Sequence, residues 1–288
     1  MTLMEERNNI IIVESGATKS DWMVLDAQGE TVKRFNCPGI NVSTMKTEDI
    51  ECIITEAFSK ERLAEVADSF FLYTAGVVTD EIRSAIKTVV NRVSGITNAD
   101  VQDDLMGAAR SVCGREPGIV AIIGTGSNAC YYDGRTIIRK VYSGGFILGD
   151  EGSAATLGKL FLADYIKGLV PPQVSKDFQR EFDASYAGIV ENVYRSVSPS
   201  GYLGSLAPFI VGHASDPYIK SLIQRNFQSF IDRILLQYDT ASCPVGIVGG
   251  FAWACKDWLL PLLEQSGIRV SKIIKAPIDG LCGYHTGK

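Results

Sequence analysis

One pattern occurs twice along the chain, and a fold must accommodate both copies. The first copy reads as strand Ile10–Val13, a turn of small residues, strand Trp22–Leu25, a turn at Gln28-Gly29, and strand Val32–Phe35. The second begins after Pro117-Gly118 with strand GIVAII, the turn GTGS, strand NACYYD, a hairpin turn at Asp133-Gly134, and strand TIIRKVY. Each strand is short and rich in β-branched or aromatic residues, and the Gly-containing turns suit hairpins. Gly16-Ala17-Thr18 and Gly124-Thr125-Gly126 fall at equivalent places. Two three-strand units, each with a phosphate-sized turn after its first strand, predict two similar lobes facing one ligand.

Between and after these units the apolar spacing is helical. TEDIECIITEAFSKE and EIRSAIKTVVNRV are amphipathic, flanking the buried strand SFFLYTAGV, and the short strand ADVQDD leads into the helix LMGAARSVCG. After the second unit come helical segments: GSAATLGKLFLADYIK, a polar stretch around VSKDFQREFD, and SLIQRNFQSFIDRILLQY. Strand PVGIVG, the turn Gly249-Gly250, helix AWACKDWLLPLLEQ, strand VSKIIKA and a short element at IDGLCGYH complete the chain. A chain of 288 residues exceeds one small core. The expected boundary lies near Cys113–Gly118, giving lobes 1–114 and 115–275, with residues 276–288 packing back on the first.

Several function classes are disfavoured. A net charge of -5 does not supply the basic face that nucleic acid needs, and it disfavours anionic membranes. No apolar run approaches the ~20 residues of a membrane span, and MTLMEERNN is too polar for a signal peptide. The seven cysteines include no CxxC pair and, with only two histidines, give no structural zinc pattern. They read as reduced residues of a cytoplasmic protein.

GTGSNA fits G-x-G-x-x-A, but the following ACYYDGRTIIRK alternates as a hairpin where a dinucleotide fold requires a helix. GATKS is no Walker loop. The Gly/Thr turns instead read as phosphate cradles: glycine lets backbone N–H groups converge, Thr18 and Thr125 add hydroxyls, and Lys19 adds a cation. Glu14, ending an apolar strand, is either an exposed strand terminus or a group kept near Mg²⁺, which keeps its waters and needs one or two carboxylates. Asp150 and Glu151 precede a helix, as do Asp103 and Asp104. N-terminal capping explains such acids as well as ligand contact does.

Taken in order, ESGATKSDW, PGIN, TAG, DDLMG, GTGSNA, GDEGSA and GIVGGF resemble the N-acetylglucosamine kinase branch of the actin-like ATPase and sugar kinase superfamily. That group also contains activator ATPases of benzoyl-CoA reductase and 2-hydroxyacyl-CoA dehydratase. The resemblance runs nearly end to end, and GTGSN followed by GDEGSA is its most specific part. It implies two ribonuclease-H-like lobes of mixed sheets flanked by helices, with ATP in the cleft between them. It makes ESGATK (Gly16, Thr18, Lys19) the first phosphate loop, with Glu14 near Mg²⁺ through water. GTGSN (Gly124, Thr125, Gly126) becomes the second phosphate loop and Gly249-Gly250 the adenosine loop. Asn41, Ser127, Asn128, Gly145 and Asp150 match sugar contacts. Asp104 matches the acid of D-x-x-G that accepts the proton of the attacking hydroxyl; Asp103 is one residue too far from Gly107. Gly144 replaces an aromatic common in the family just before the GDEG helix, which leaves the pocket for the 2-substituent open.

The resemblance therefore implies ATP- and Mg²⁺-dependent phosphorylation of an amino sugar, N-acetylglucosamine at its 6-OH, in a protein that can be a homodimer. Glucosamine and N-acetylmuramate remain alternative substrates. The activator ATPase alternative requires a cysteine just before the second phosphate loop, where this chain reads GIVAIIGTG.

Overall fold

The structure, a computed structural model, describes residues 9–16, 19–42, 44–63, 67–77 and 79–287. In chain order the elements are β1 (Ile10–Ser15), β2 (Lys19–Leu25), β3 (Thr31–Pro38), α1 (Thr47–Glu61), β4 (Ser69–Thr74), α2 (Asp80–Ser94), β5 (Asn98–Asp103) and α3 (Asp104–Cys113). There follow β6 (Gly118–Ile123), β7 (Ser127–Tyr132), β8 (Ile137–Val141), α4 (Gly145–Leu148), α5 (Ala154–Tyr165), α6 (Pro172–Glu181), α7 (Tyr186–Tyr194), α8 (Pro199–Ser205), α9 (Ala207–Gly212) and α10 (Pro217–Arg233). The last are β9 (Val245–Val248), α11 (Gly250–Ala254), α12 (Lys256–Gln265), β10 (Val270–Ile274) and α13 (Ile278–Thr286). Two compact units result, one of Met1–Glu116 with Pro277–Lys288 and the other of Pro117–Ala276.

Each unit holds a five-stranded mixed sheet, and the two sheets share one topology. The order is β3-β2-β1-β4-β5 in the first and β8-β7-β6-β9-β10 in the second. In both, an antiparallel meander of three strands is extended from its first strand by two parallel strands. The strand repeat read in the sequence is thus a repeat of topology. Its hairpins also close alike. Asp26 Oδ1 accepts from the N–H groups of Gln28 and Glu30, both at 2.9 Å, and Asp133 Oδ1 from those of Arg135 and Thr136 at 2.8 and 2.7 Å. A short acid bonding its own turn fixes these connections.

In the first unit, α1 and α2 cover one sheet face, where fully buried Trp22 packs on Phe35, Phe58 and Phe70. Strand alternation sends Ile12, Met23 and Tyr73 to the other face, where Ile278 and Leu281 of α13 meet them. There α13 also packs on α3. Gly280 allows this approach: a Cβ there would lie 2.2 Å from Ser111 Oγ. The second unit has a larger helical layer. The polar stretch at 174–183 is largely helix α6, held by Val174 and Phe178, which are buried one turn apart. AWACKDWLLPLLEQ is two helices broken at Cys255, and the segment beginning SLIQ starts at Pro217, with its α-helix ending at Arg233 and a 3-10 turn following at Leu235–Gln237.

Candidate nucleotide and acceptor sites

In the first unit the parallel strands β1, β4 and β5 end on one row, Ser15, Thr74 and Asp103. Ligands of open α/β sheets gather at such carboxyl ends. The PGIN loop is tied to this edge, because Ser15 Oγ accepts from Ile40 N at 2.6 Å and Thr74 Oγ1 donates to the Ile40 carbonyl at 2.5 Å. Asn41 follows directly, half-buried, its own carbonyl accepting from Met45 N at 3.0 Å. Just beyond β5, Asp103 is the N-cap of α3: its Oδ1 accepts from Leu105 N at 3.0 Å. Asp104 is the first helical residue, with Oδ1 2.8 Å from the same N–H. The structure therefore gives the capping role to Asp103 and places Asp104 one residue further along the same edge.

One row inward, strand register sets Glu14 opposite Asp21 on one side and Tyr73 on the other. Burial, then the charge of Asp21, pushes the Glu14 carboxyl up to about 7, against the pull of Lys19. Asp21 is paired with Lys19 at 3.0 Å and accepts from Asn36 Nδ2. Asp21 was missed in the sequence because its meaning depends on cross-strand register; its alternation with Lys19 and Met23 along β2 was the available signal. Gly16 closes the first turn through its N–H to the Lys19 carbonyl at 3.0 Å. Thr18 lies outside the described residues.

In the second unit the GTG turn and the acid loop are interlocked. At the start of α5, the N–H groups of Ala154 and Ala155 donate to the carbonyls of Gly124 and Thr125 at 2.9 and 3.0 Å. Ser127 Oγ donates to the Glu151 carbonyl at 2.7 Å, so its hydrogen is committed to the fold. Asn128 Oδ1 accepts from Ala129 N at 3.1 Å. A Cβ at Gly126 would stand 3.0 Å from Asp150 Oδ2, which explains glycine there by packing. Gly124 is different: a Cβ at that position meets nothing within 4 Å, so its glycine leaves room beside the turn.

The cap of α5 is Ser153, whose Oγ accepts from Thr156 N at 3.1 Å. Asp150 and Glu151 do not serve as that cap. Asp150 is buried and sits at φ 54°, a left-handed conformation uncommon for a non-glycine residue. Burial pushes its carboxyl up, while hydrogen bonds from Ser127 N–H and the Ser143 hydroxyl and the charge of Lys159 oppose the rise. The loop is clamped from α10. Asn226, 1% exposed, accepts from Gly152 N at 3.1 Å and donates to the Ser153 carbonyl at 3.0 Å, and Arg233 Nε pairs with Glu151 at 2.8 Å. Upstream, Gly144 (φ 76°) and Gly145 (φ 68°) open the short α4 in left-handed geometry.

The GTG turn also borders a cavity of about 490 Å³. Its lining includes Gly124 and Thr125 of the turn, Ala207 and Val211 of α9, and Gly250 and Ala254 of α11. Of the two adenosine-loop glycines, Gly249 serves the sheet. It has φ 140°, and a Cβ would fall 2.2 Å from the Ile123 carbonyl. Gly250, with open space at its Cβ position, faces the cavity. Among the described residues, no group of three or more His, Cys, Asp or Glu side chains could hold a metal. No described helix is long and apolar enough to cross a membrane.

Two mixed five-stranded sheets of one topology, each with a glycine directly after its first strand, define the actin-like ATPase fold of sugar kinases. A solved structure from Porphyromonas gingivalis, described as a candidate N-acetylglucosamine kinase, is 32% identical, with a TM-score of 0.90 over 97% of this chain and 99% of that one. The chain therefore belongs to the N-acetylglucosamine kinase-like family of the actin-like ATPase and sugar kinase superfamily. Another candidate N-acetylglucosamine kinase, from Chromobacterium violaceum, matches at 18% identity and a TM-score of 0.76, covering 98% of this chain and 99% of that one. A ROK-family glucokinase from Streptomyces griseus, solved with glucose and AMPPNP, matches at 16% and 0.59, covering 96% and 98%. These two matches show the shared fold. No protein-family model and no curated protein matches the chain.

Proposed function

We propose that the protein is an ATP-dependent sugar kinase that phosphorylates an amino sugar, N-acetylglucosamine, at its 6-OH. The observation that carries the reading is the cavity lined both by Gly124 and Thr125 of the GTG turn and by Gly250 and Ala254 of α11. It joins a phosphate-sized turn to a volume suited to a nucleoside, within the usual range of roughly 300–1,000 Å³ for ligand pockets. The 32%-identical relative and the glucokinase solved with a sugar and a nucleotide analogue support the same class.

In this proposal the GTG turn and Lys19 with Gly16 and Thr18 receive the phosphates, and Gly250 borders the adenosine. Asn41, Asn128, Ser127, Gly145 and Asp150 address the sugar. Asp104 accepts the proton of the 6-hydroxyl as its oxygen bonds to the γ-phosphorus and ADP leaves. Phosphoryl transfer asks little covalent chemistry of the protein, so positioning and charge neutralisation carry the rate. Glu14 and Asp21 fit a Mg²⁺ ion: the two acidic residues are register partners across β1 and β2, and a cation would offset the burial, and then the repulsion from Asp21, that raise Glu14. Mg²⁺ bound there would neutralise phosphate charge. A kinase drawing on the ATP pool works in the cytoplasm, and we place it there.

ADP release measured with N-acetylglucosamine, glucosamine and N-acetylmuramate tests the reading. The expected result is the highest kcat/KM for N-acetylglucosamine. ADP release that no amino sugar stimulates would exclude it.

A further inference from the structure

Helix α3 buries a glycine, Gly107, one turn after Asp104. Glycine is unfavourable inside a helix, so its place there calls for a packing reason. The structure supplies one. A Cβ at Gly107 would stand 2.9 Å from each of Cβ, Cγ and Cδ1 of Tyr73, which is 1% exposed on β4. The helix thus lies closer to the strand than any side chain at this position would allow.

Tyr73 engages α3 a second time through its hydroxyl. Arg110, the next turn along, donates from Nη1 to Tyr73 Oη at 2.8 Å and reaches Asp100 Oδ2 at 3.4 Å. The same Oη stands 2.8 Å from His285 Nε2 of α13. Gly107 therefore rests on the root of the ring while Arg110 holds its tip. Asp104 lies one turn before Gly107, on the same side of the helix. Tyr73 itself sits one residue before Thr74, whose register partner Asp103 caps α3.

We propose that Gly107 and Tyr73 are positioning residues, whose contact seats α3 on β4 and so holds Asp104 where it can accept the proton of the sugar hydroxyl. The inference rests on the reading of Asp104 given above and names what places that residue. Carbon atoms in ordinary contact stand about 3.5–4.0 Å apart, so a methyl group at position 107 lifts α3 from the strand by roughly 0.6–1 Å. A change of side-chain rotamer cannot relieve this, because Tyr73 Cβ is fixed to the strand. A misplacement of about 1 Å can cost about 10²-fold in rate.

The test is a double-mutant cycle on kcat, measured as ADP release by the full chain with saturating ATP and N-acetylglucosamine. Gly107→Ala should lower kcat by about 10–10²-fold and leave KM for ATP within about threefold. In an Asp104→Asn background it should lower kcat by less than about threefold, because the group it displaces no longer takes a proton. The full factor in both backgrounds overturns the inference and leaves Asp104 as the base. An Asp104→Asn enzyme with the parent kcat removes the base reading and the inference together. Ile86→Ala separates position from stability: Ile86 is buried under α2 on the opposite sheet face, so its loss should lower Tm and keep kcat within about threefold. An equal loss of kcat there marks general destabilisation and overturns the proposal. Tyr73→Phe carries the test should Gly107→Ala fail to fold. It keeps the ring beneath Gly107 but releases Arg110, and kcat should fall about threefold or more, again only when Asp104 is present. A parent kcat in either variant refutes the positioning role.

Discussion

Asp103 and Asp104 are adjacent carboxylates at the start of α3, and the structure separates what their loss should do. Asp103→Ala removes the N-cap. Such losses cost about 0.5–2 kcal/mol, and the lower end applies because Leu105 N retains Asp104 Oδ1 at 2.8 Å as an acceptor. In a unit of this size, each kcal/mol moves Tm by about 2–4 °C, so about 1–4 °C is expected. Its kcat should stay within about threefold of the parent, since a cap acts on stability and not on the barrier. Asp104→Asn leaves the side-chain oxygen available to Leu105 N but abolishes proton acceptance. General-base catalysis contributes about 10²–10⁴-fold, or about 2.7–5.4 kcal/mol of barrier, and kcat should fall by that amount with Tm unchanged. Thermal melts and ADP release at saturating ATP and sugar measure both quantities on the same samples. If Asp103→Ala loses activity while Asp104→Asn keeps it, the assignment of cap and base is reversed. If neither lowers kcat tenfold, no general base operates at this edge.

Three further outcomes are expected. Gly124→Ala meets no atom within 4 Å, so the protein should fold normally while ADP binding weakens by about tenfold or more, the order seen when one favourable phosphate contact is lost; unchanged affinity in calorimetry would remove Gly124 from the phosphate site. Asn226→Leu strands the buried Gly152 N–H and Ser153 carbonyl, at about 1–3 kcal/mol each, so Tm should drop by several degrees, roughly 2–4 °C per kcal/mol. A Tm within 1 °C of the parent, on the order of measurement error against that shift, would refute the clamp. His285, bonded to Tyr73 Oη at 2.8 Å, is held down to about 4, first by burial and then by the charge of Arg110. Because the folded state resists protonating it, its contribution to stability is present above about 6.5 and is lost as pH falls through the window to about 4. Urea midpoints of wild type and His285→Gln should diverge in slope across that window, and parallel curves would contradict the sign.

Much of this architecture was legible because it rests on local signals. The meanders follow from period-2 strands and Asp-closed turns, and their repetition gave the two lobes. The elements left unassigned between α6 and α10 are short: α7–α9 have six to nine residues each, and their Ser, Gly and Pro residues interrupt any apolar period. At the candidate sites, the phosphate turns and the acids could be found by motif, but their division of labour could not. Whether Asp150 caps a helix or sits buried beside Gly126 depends on a left-handed φ and on Ser153 taking the cap, and neither is a property of GDEGS alone. Asp21 enters only through the register of a hairpin, and Asn226 and Arg233 only through helix packing across long sequence separations.

The central claim is transfer of the γ-phosphoryl group of ATP to a sugar hydroxyl. Phosphorus NMR of the purified protein with ATP, Mg²⁺ and N-acetylglucosamine tests it most directly, because one spectrum reports donor, product and site of attachment. The account predicts ATP loss matched by ADP and by one sugar phosphomonoester whose phosphorus couples to the protons on C6. ATP consumed with only inorganic phosphate appearing, or ATP left intact beside every amino sugar offered, would contradict it.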